Sequence, residues 1–92
     1  MPYIEKKYRE EVDELIDNLV KKIKEISQND HIVWPGIINY TITKLIVKFI
    51  EDIRYWKIAM ITGILENVKQ EFYRRVASQY EDKKKEQEGD VY

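Results

Sequence analysis

Three runs of apolar residues recur at steps of three and four, and that spacing constrains the chain more than any other feature. Each run lays its large side chains along one side of a helix, and none alternates as a half-buried strand does. The first takes in Ile4, Tyr8, Val12, Leu15, Ile16, Leu19, Val20, Ile23 and Ile26. The second takes in Ile37, Ile38, Tyr40, Ile42, Leu45, Ile46, Val47, Phe49, Ile50 and Ile53, and the third Ile58, Ile61, Ile64, Leu65, Val68, Phe72 and Val76. They predict an all-α fold, a compact bundle of three main helices at about 4–27, 35–53 and 56–78 with a charged C-terminal extension, packed as an oligomer. A chain of 92 residues is too short for two cores. Residues 1–92 are therefore read as one helical domain, with 81–92 as a fraying tail. A domain of this size buries only roughly 60–65% of its unfolded surface, so a partner would add to its stability.

Local signals set the expected boundaries. Pro2 suits a first helical turn, where its missing amide costs nothing, and Glu5 complements the positive end of the helix dipole. Ser27-Gln28-Asn29-Asp30 ends the first helix. Trp34 precedes a proline, which disfavours helix at that residue, so the second helix is placed from Pro35. Its apolar arc is much wider than one stripe and leaves a single wet strip of Thr41, Lys44, Lys48, Glu51 and Asp52. That pattern belongs to a helix central to a bundle or set in a subunit interface. Its β-branched residues would suit a strand, but lysines recurring every fourth residue favour the helix. No glycine or proline divides the second helix from the third, and the break is placed near 53–56, the alternative being one continuous helix. Gly63, a poor helix former, is read as marking a close helix crossing.

Composition excludes several functions. The 16 basic and 17 acidic side chains leave a net charge of -1, so no global field selects nucleic acid or an anionic membrane. Lys83-Lys84-Lys85 is outnumbered by Glu81, Asp82, Glu86, Glu88 and Asp90, and is not read as a phosphate-binding arm. The absence of cysteine removes disulfides, thiolate metal sites and thiol nucleophiles together. The first residues lack a basic-then-apolar signal pattern, and Lys44 and Lys48 interrupt the longest apolar stretch before it could span a bilayer. These features together predict a soluble cytoplasmic protein.

The most tempting chemistry is the acidic group Glu10, Glu11, Asp13, Glu14 and Asp17, because carboxylates at helical spacing can hold a divalent cation. Most of it falls opposite the apolar arc and reads as a solvated face; only Glu11 lies beside the arc. His31 has no second histidine and no paired hydroxyl, and reads as a loop residue. Trp34 reads as a core or interface anchor. Asn39, Glu71 and Arg75 interrupt the apolar stripes and form the candidate buried polar cluster. A buried amide needs hydrogen bonds and often fixes register in a bundle, while Glu71 and Arg75, one turn apart, can pair. The functional alternative is an anion-binding Arg75 working with Asn39 and Arg74.

Several segments carry a resemblance: Asn39-Tyr40-Thr41-Ile42-Thr43-Lys44-Leu45, Gly63-Ile64-Leu65-Glu66, Phe72-Tyr73-Arg74-Arg75-Val76, Tyr80-Glu81-Asp82-Lys83-Lys84 and Gly89-Asp90-Val91-Tyr92. In this order they resemble a family of small uncharacterised helical proteins frequent in bacteriophage and environmental sequences, whose members start much as Met1-Pro2-Tyr3-Ile4 does. The resemblance implies no activity. It departs at Gln79, where the family often has proline, and at Asn67, where it often has cysteine. Glu11 and Glu14 also resemble half of the magnesium site of all-α nucleotide pyrophosphohydrolases, which pair ExxE with ExxD. The second half has no match here, since Glu51 and Asp52 are adjacent and Glu66 to Lys69 ends in lysine.

The sequence therefore predicts a small oligomeric accessory or interaction protein that recognises partners through helix faces. It would need no cofactor, would bind neither nucleic acid nor membrane, and, if phage-encoded, would act in the host cytoplasm. The rival reading is a magnesium-dependent nucleotide hydrolase with Glu11, Glu14 and Glu51 in its acidic site and Glu71 as a further residue to test.

Overall fold

Spacing prevails over β-branched content throughout the chain. The computed structural model describes residues 2–92, and every regular element among them is helical. Helix α1 spans Lys6–Ser27, α2 spans Trp34–Ile50, α3 spans Tyr55–Phe72, a π-helical turn spans Tyr73–Ala77, and α4 spans Ser78–Glu88. No described helix is long and apolar enough to cross a membrane.

The turns are built by local polar chemistry. Glu5 is extended (φ -59, ψ 145), so α1 starts at Lys6 rather than at the first apolar residue, Ile4. The Glu5 carbonyl accepts from the Tyr8 and Arg9 amides, and Arg9 Nε donates to the Ile4 carbonyl at 2.8 Å. At the other end Gln28 takes the left-handed conformation (φ 53, ψ 33). Its amide donates to the Glu25 carbonyl and that of Asn29 to Lys24, the paired bonds of a Schellman close. Asp30 then opens α2: its carboxylate accepts the Ile32 amide at 2.9 Å and its carbonyl accepts those of Val33 and Trp34. The turn that Asp30 closes leads into α2 at Trp34, one residue earlier than its proline suggested, with Pro35 in the first turn.

A true break separates α2 from α3. Glu51 adopts φ 55 and ψ -76, a strained turn region for a residue with a Cβ, and ends α2 at Ile50 rather than 53. Arg54 Nε then meets the Asp52 carboxylate at 3.1 Å, and α3 starts at Tyr55. From Tyr55 the helical backbone runs to Glu88 without a cap between, since Phe72, Ala77 and Ser78 all keep right-handed helical angles. The charged segment expected to fray is thus helical through Glu88, and Gly89, at φ 90, closes it by donating its amide N–H to the Lys85 carbonyl.

Contacts divide the chain into two units, one comprising Tyr3–Arg54 and the other built on Tyr55–Tyr92. In the first, α1 packs on α2 near their junction. The second is a single helical rod. Among the described residues no apolar side chain is buried, and Ser27 alone is, at 3% exposure. Gly63 does not mark a close crossing in this chain, because a Cβ built there meets nothing within 4 Å.

Two stability effects follow. Replacing Gln28 by glycine removes the left-handed penalty at the α1 close and should raise stability by about 0.5–1 kcal/mol in denaturant midpoints. Gly63→Ala should likewise stabilise α3, by about 1 kcal/mol, because nothing opposes the added methyl group. A loss of stability or of association in Gly63→Ala would mean that a neighbour approaches that position after all.

Candidate functional site

The residues singled out by sequence for chemistry are spread out and mostly exposed. Glu11 and Glu14 are exposed on α1, and Glu51 is exposed in the break after α2. Among the described residues no group of three or more His, Cys, Asp or Glu stands close enough to hold a metal ion. His31 is exposed in the turn before α2.

Asn39 and Arg75 are exposed in the single chain and Glu71 is half-buried. Asn39 belongs to the Tyr3–Arg54 unit, Glu71 and Arg75 to the other. The partner of Glu71 also differs from expectation. Arg74 Nη2 donates to both of its carboxylate oxygens, at 3.1 and 3.0 Å. Among the described residues Arg75 makes no hydrogen bond or ion pair. The helix widens just beyond Glu71, where Ser78 donates to the Tyr73 carbonyl, five residues back, in a π-turn. Arg74, three residues on from Glu71, takes the carboxylate. With the Arg74 side chain 61% exposed, the pair contributes well under about 1 kcal/mol.

That turn has a consequence that sequence reasoning missed. Residues eight apart in an α-helix diverge by about 80°, and one extra residue in a turn brings them back to within about 20°. The Tyr73 hydroxyl accordingly reaches Glu81 and donates to its Oε2 at 3.2 Å. The hydrogen bond and the negative charge of Glu81 hold the phenol above its ordinary value of 10.0. The available signal was a stripe repeating every fourth residue, Met60, Ile64, Val68, Phe72, Val76 and Tyr80. In a uniform helix each such step drifts by about 40°, and the π-turn takes back about 100° of the accumulated drift.

Two concavities stand out among the described residues. At the α1–α2 corner a cleft of about 230 Å³ is lined by Val20, Ile23, Lys24, Ser27, Asn29, Trp34 and Ile38. It is smaller than the roughly 300–1,000 Å³ usual for ligand sites. Its one hydroxyl, Ser27 Oγ, donates to the Ile23 carbonyl at 2.6 Å rather than to a base, so no nucleophile is activated. The other, about 360 Å³, lies between the end of α4 and the last residues and is lined mainly by charged side chains, with Lys85 4.0 Å from Asp90.

The extensive feature is apolar exposure. Leu15 on α1, Leu45 on α2 and Phe72 on α3 are 68%, 68% and 62% exposed, in the middle of stripes whose spacing is that of packed faces. Patches of this extent mark interaction surfaces. A family model described as a domain of unknown function, DUF6899, matches residues 1–91. The chain belongs to the DUF6899 family. Comparison with curated proteins and with solved structures gives no match. For this DUF6899 chain the exposed helix faces are therefore the candidate site.

The Tyr73–Glu81 bond gives a pH signature. A raised phenol value means that the bond is fully present below pH 10 and is lost as pH rises through the raised value. In an NMR titration of the tyrosine ring carbons, Glu81→Gln should lower the Tyr73 midpoint. An unchanged midpoint would show that the two residues do not meet in solution.

Proposed function

We propose that this protein works by association: it forms a homodimer or higher oligomer and recognises a protein partner through its helix faces, with no reaction of its own. The observation that carries this reading is the absence of any buried apolar side chain among the described residues. Area gives its scale. The chain exposes 8814 Å² for a mass of 11.2 kDa, whereas a folded monomer of that mass exposes about 5,700 Å². The difference of about 3,100 Å² exceeds the roughly 1,000–2,500 Å² that each partner contributes to an obligate homodimer. An excess of that size suits one large interface with further surface to spare.

Composition agrees with this reading. A net charge of -1 avoids strong self-repulsion between copies, and a cysteine-free chain suits a reducing cytoplasm, that of a host cell if the bacteriophage resemblance extends to its origin.

Sedimentation of the full chain at micromolar concentration should give a dimer or larger species whose thermal midpoint rises with protein concentration. A clean monomer with a concentration-independent midpoint would defeat the proposal. Magnesium-dependent release of pyrophosphate from a nucleoside triphosphate would replace it with the hydrolase reading.

A further inference from the structure

The Tyr55–Tyr92 unit has no second element of its own to cover the apolar side of its rod. Val68, Phe72 and Val76, at the centre of the four-residue stripe, are all more than half exposed. We propose that this stripe is covered by the same stripe of a second copy, lying antiparallel and crossing at Phe72, with Arg75 of each copy reaching Glu71 of the other. This rests on the self-association proposed above and sharpens it to one seam and one direction.

Three observations converge on that arrangement. From Ile64 to Tyr80 the stripe is symmetric about Phe72: Val68 and Val76 stand four residues away on either side, Ile64 and Tyr80 eight. Antiparallel copies crossing there set Val68 against Val76 and Ile64 against Tyr80, so over this stretch each stripe residue meets an apolar residue. The π-turn takes back the drift that would otherwise wind the far end of the stripe out of such a contact.

Charge then selects direction. Parallel copies in register would place Arg75 of one copy and Glu71 of the other on opposite flanks of the seam, so this pair could not form. In the antiparallel arrangement Arg75 comes level with position 69 of the other copy, two residues or about 3 Å along the axis from Glu71. The Arg75 side chain, beside the centre of the stripe, makes no hydrogen bond or ion pair in the described chain, whereas Glu71, its side chain 21% exposed, is already oriented by Arg74. A carboxylate has about four lone-pair sites, so Glu71 can accept a second guanidinium without releasing the first. The two-fold symmetry of the pair makes this bond twice.

The cysteine-free chain makes the test direct, since Ile64→Cys and Tyr80→Cys each carry one thiol. The two variants are treated with a short bis-maleimide, singly and mixed, alongside Arg75→Glu in sedimentation. The mixture should yield cross-linked mixed dimers and neither variant alone should, because like positions lie sixteen residues or about 24 Å apart along the antiparallel axis. Arg75→Glu should weaken association at least tenfold with helical circular dichroism unchanged. Cross-linking of either variant with itself, no mixed product from variants that still sediment as dimers, or undiminished association of Arg75→Glu would each overturn the seam while self-association stands. A monomeric unmodified chain would instead overturn the association reading, and the seam with it.

Discussion

The constraint on which the rest of this protein depends is a shortage of internal cover for its apolar surface. Backbone hydrogen bonds close each helix, and exposed ion pairs such as Lys22–Glu25 and Lys69–Glu66 contribute only a few tenths of a kcal/mol each. Helices of 22 and 17 residues exceed the roughly 12–15 residues below which isolated helices are marginal, but most helical stability in proteins comes from packing an apolar face. Here Leu15, Leu45 and Phe49 face water, the last at 81% exposure. A second molecule that covers those faces would therefore stabilise the fold as it binds, and folding and recognition would draw on the same area.

The polar atoms on these faces are disposed to permit such cover. Thr41, Thr43 and Thr62 each turn their hydroxyl back to a carbonyl one turn earlier, at 2.7, 2.8 and 2.9 Å. Ser27 does the same at the α1–α2 corner. A back-bonded hydroxyl needs no water, so a face carrying it can be dried at little cost. No buried side-chain nitrogen or oxygen among the described residues is left without a partner. The carboxylates of α1 are exposed on the helix, and among the described residues no group of three or more His, Cys, Asp or Glu stands close enough to hold a metal ion.

The π-turn joins the architecture of the second unit to its candidate surface. It adds one residue to a turn, and that addition brings Glu81 over Tyr73 and takes back part of the drift of a four-residue apolar repeat. Turns of this kind are uncommon and recur at functional sites. Here the effect is on surface shape and charge placement, the properties by which helix faces recognise one another.

Much of the fold was legible in the chain alone, because a helix is specified by residues three and four apart and those spacings are local. Ile4 to Ile26, Ile37 to Ile50 and Ile58 to Phe72 mark the three helices, Gln28-Asn29 mark the first turn, and the segments from Asn39 to Tyr92 carried the family resemblance. The exact stop of α2 was not legible, since it depends on Glu51 accepting a strained conformation rather than on a glycine or proline. The candidate site was legible only as a set of faces. A helical wheel assumes one angular step throughout, so it could not show the widening after Phe72 or the pairing that follows from it. Nor could it show burial, which depends on what stands opposite a side chain. Apolar periodicity determined which residues form each face. The three-dimensional structure decided that those faces stay uncovered within each unit, because burial depends on neighbours that a local repeat does not specify.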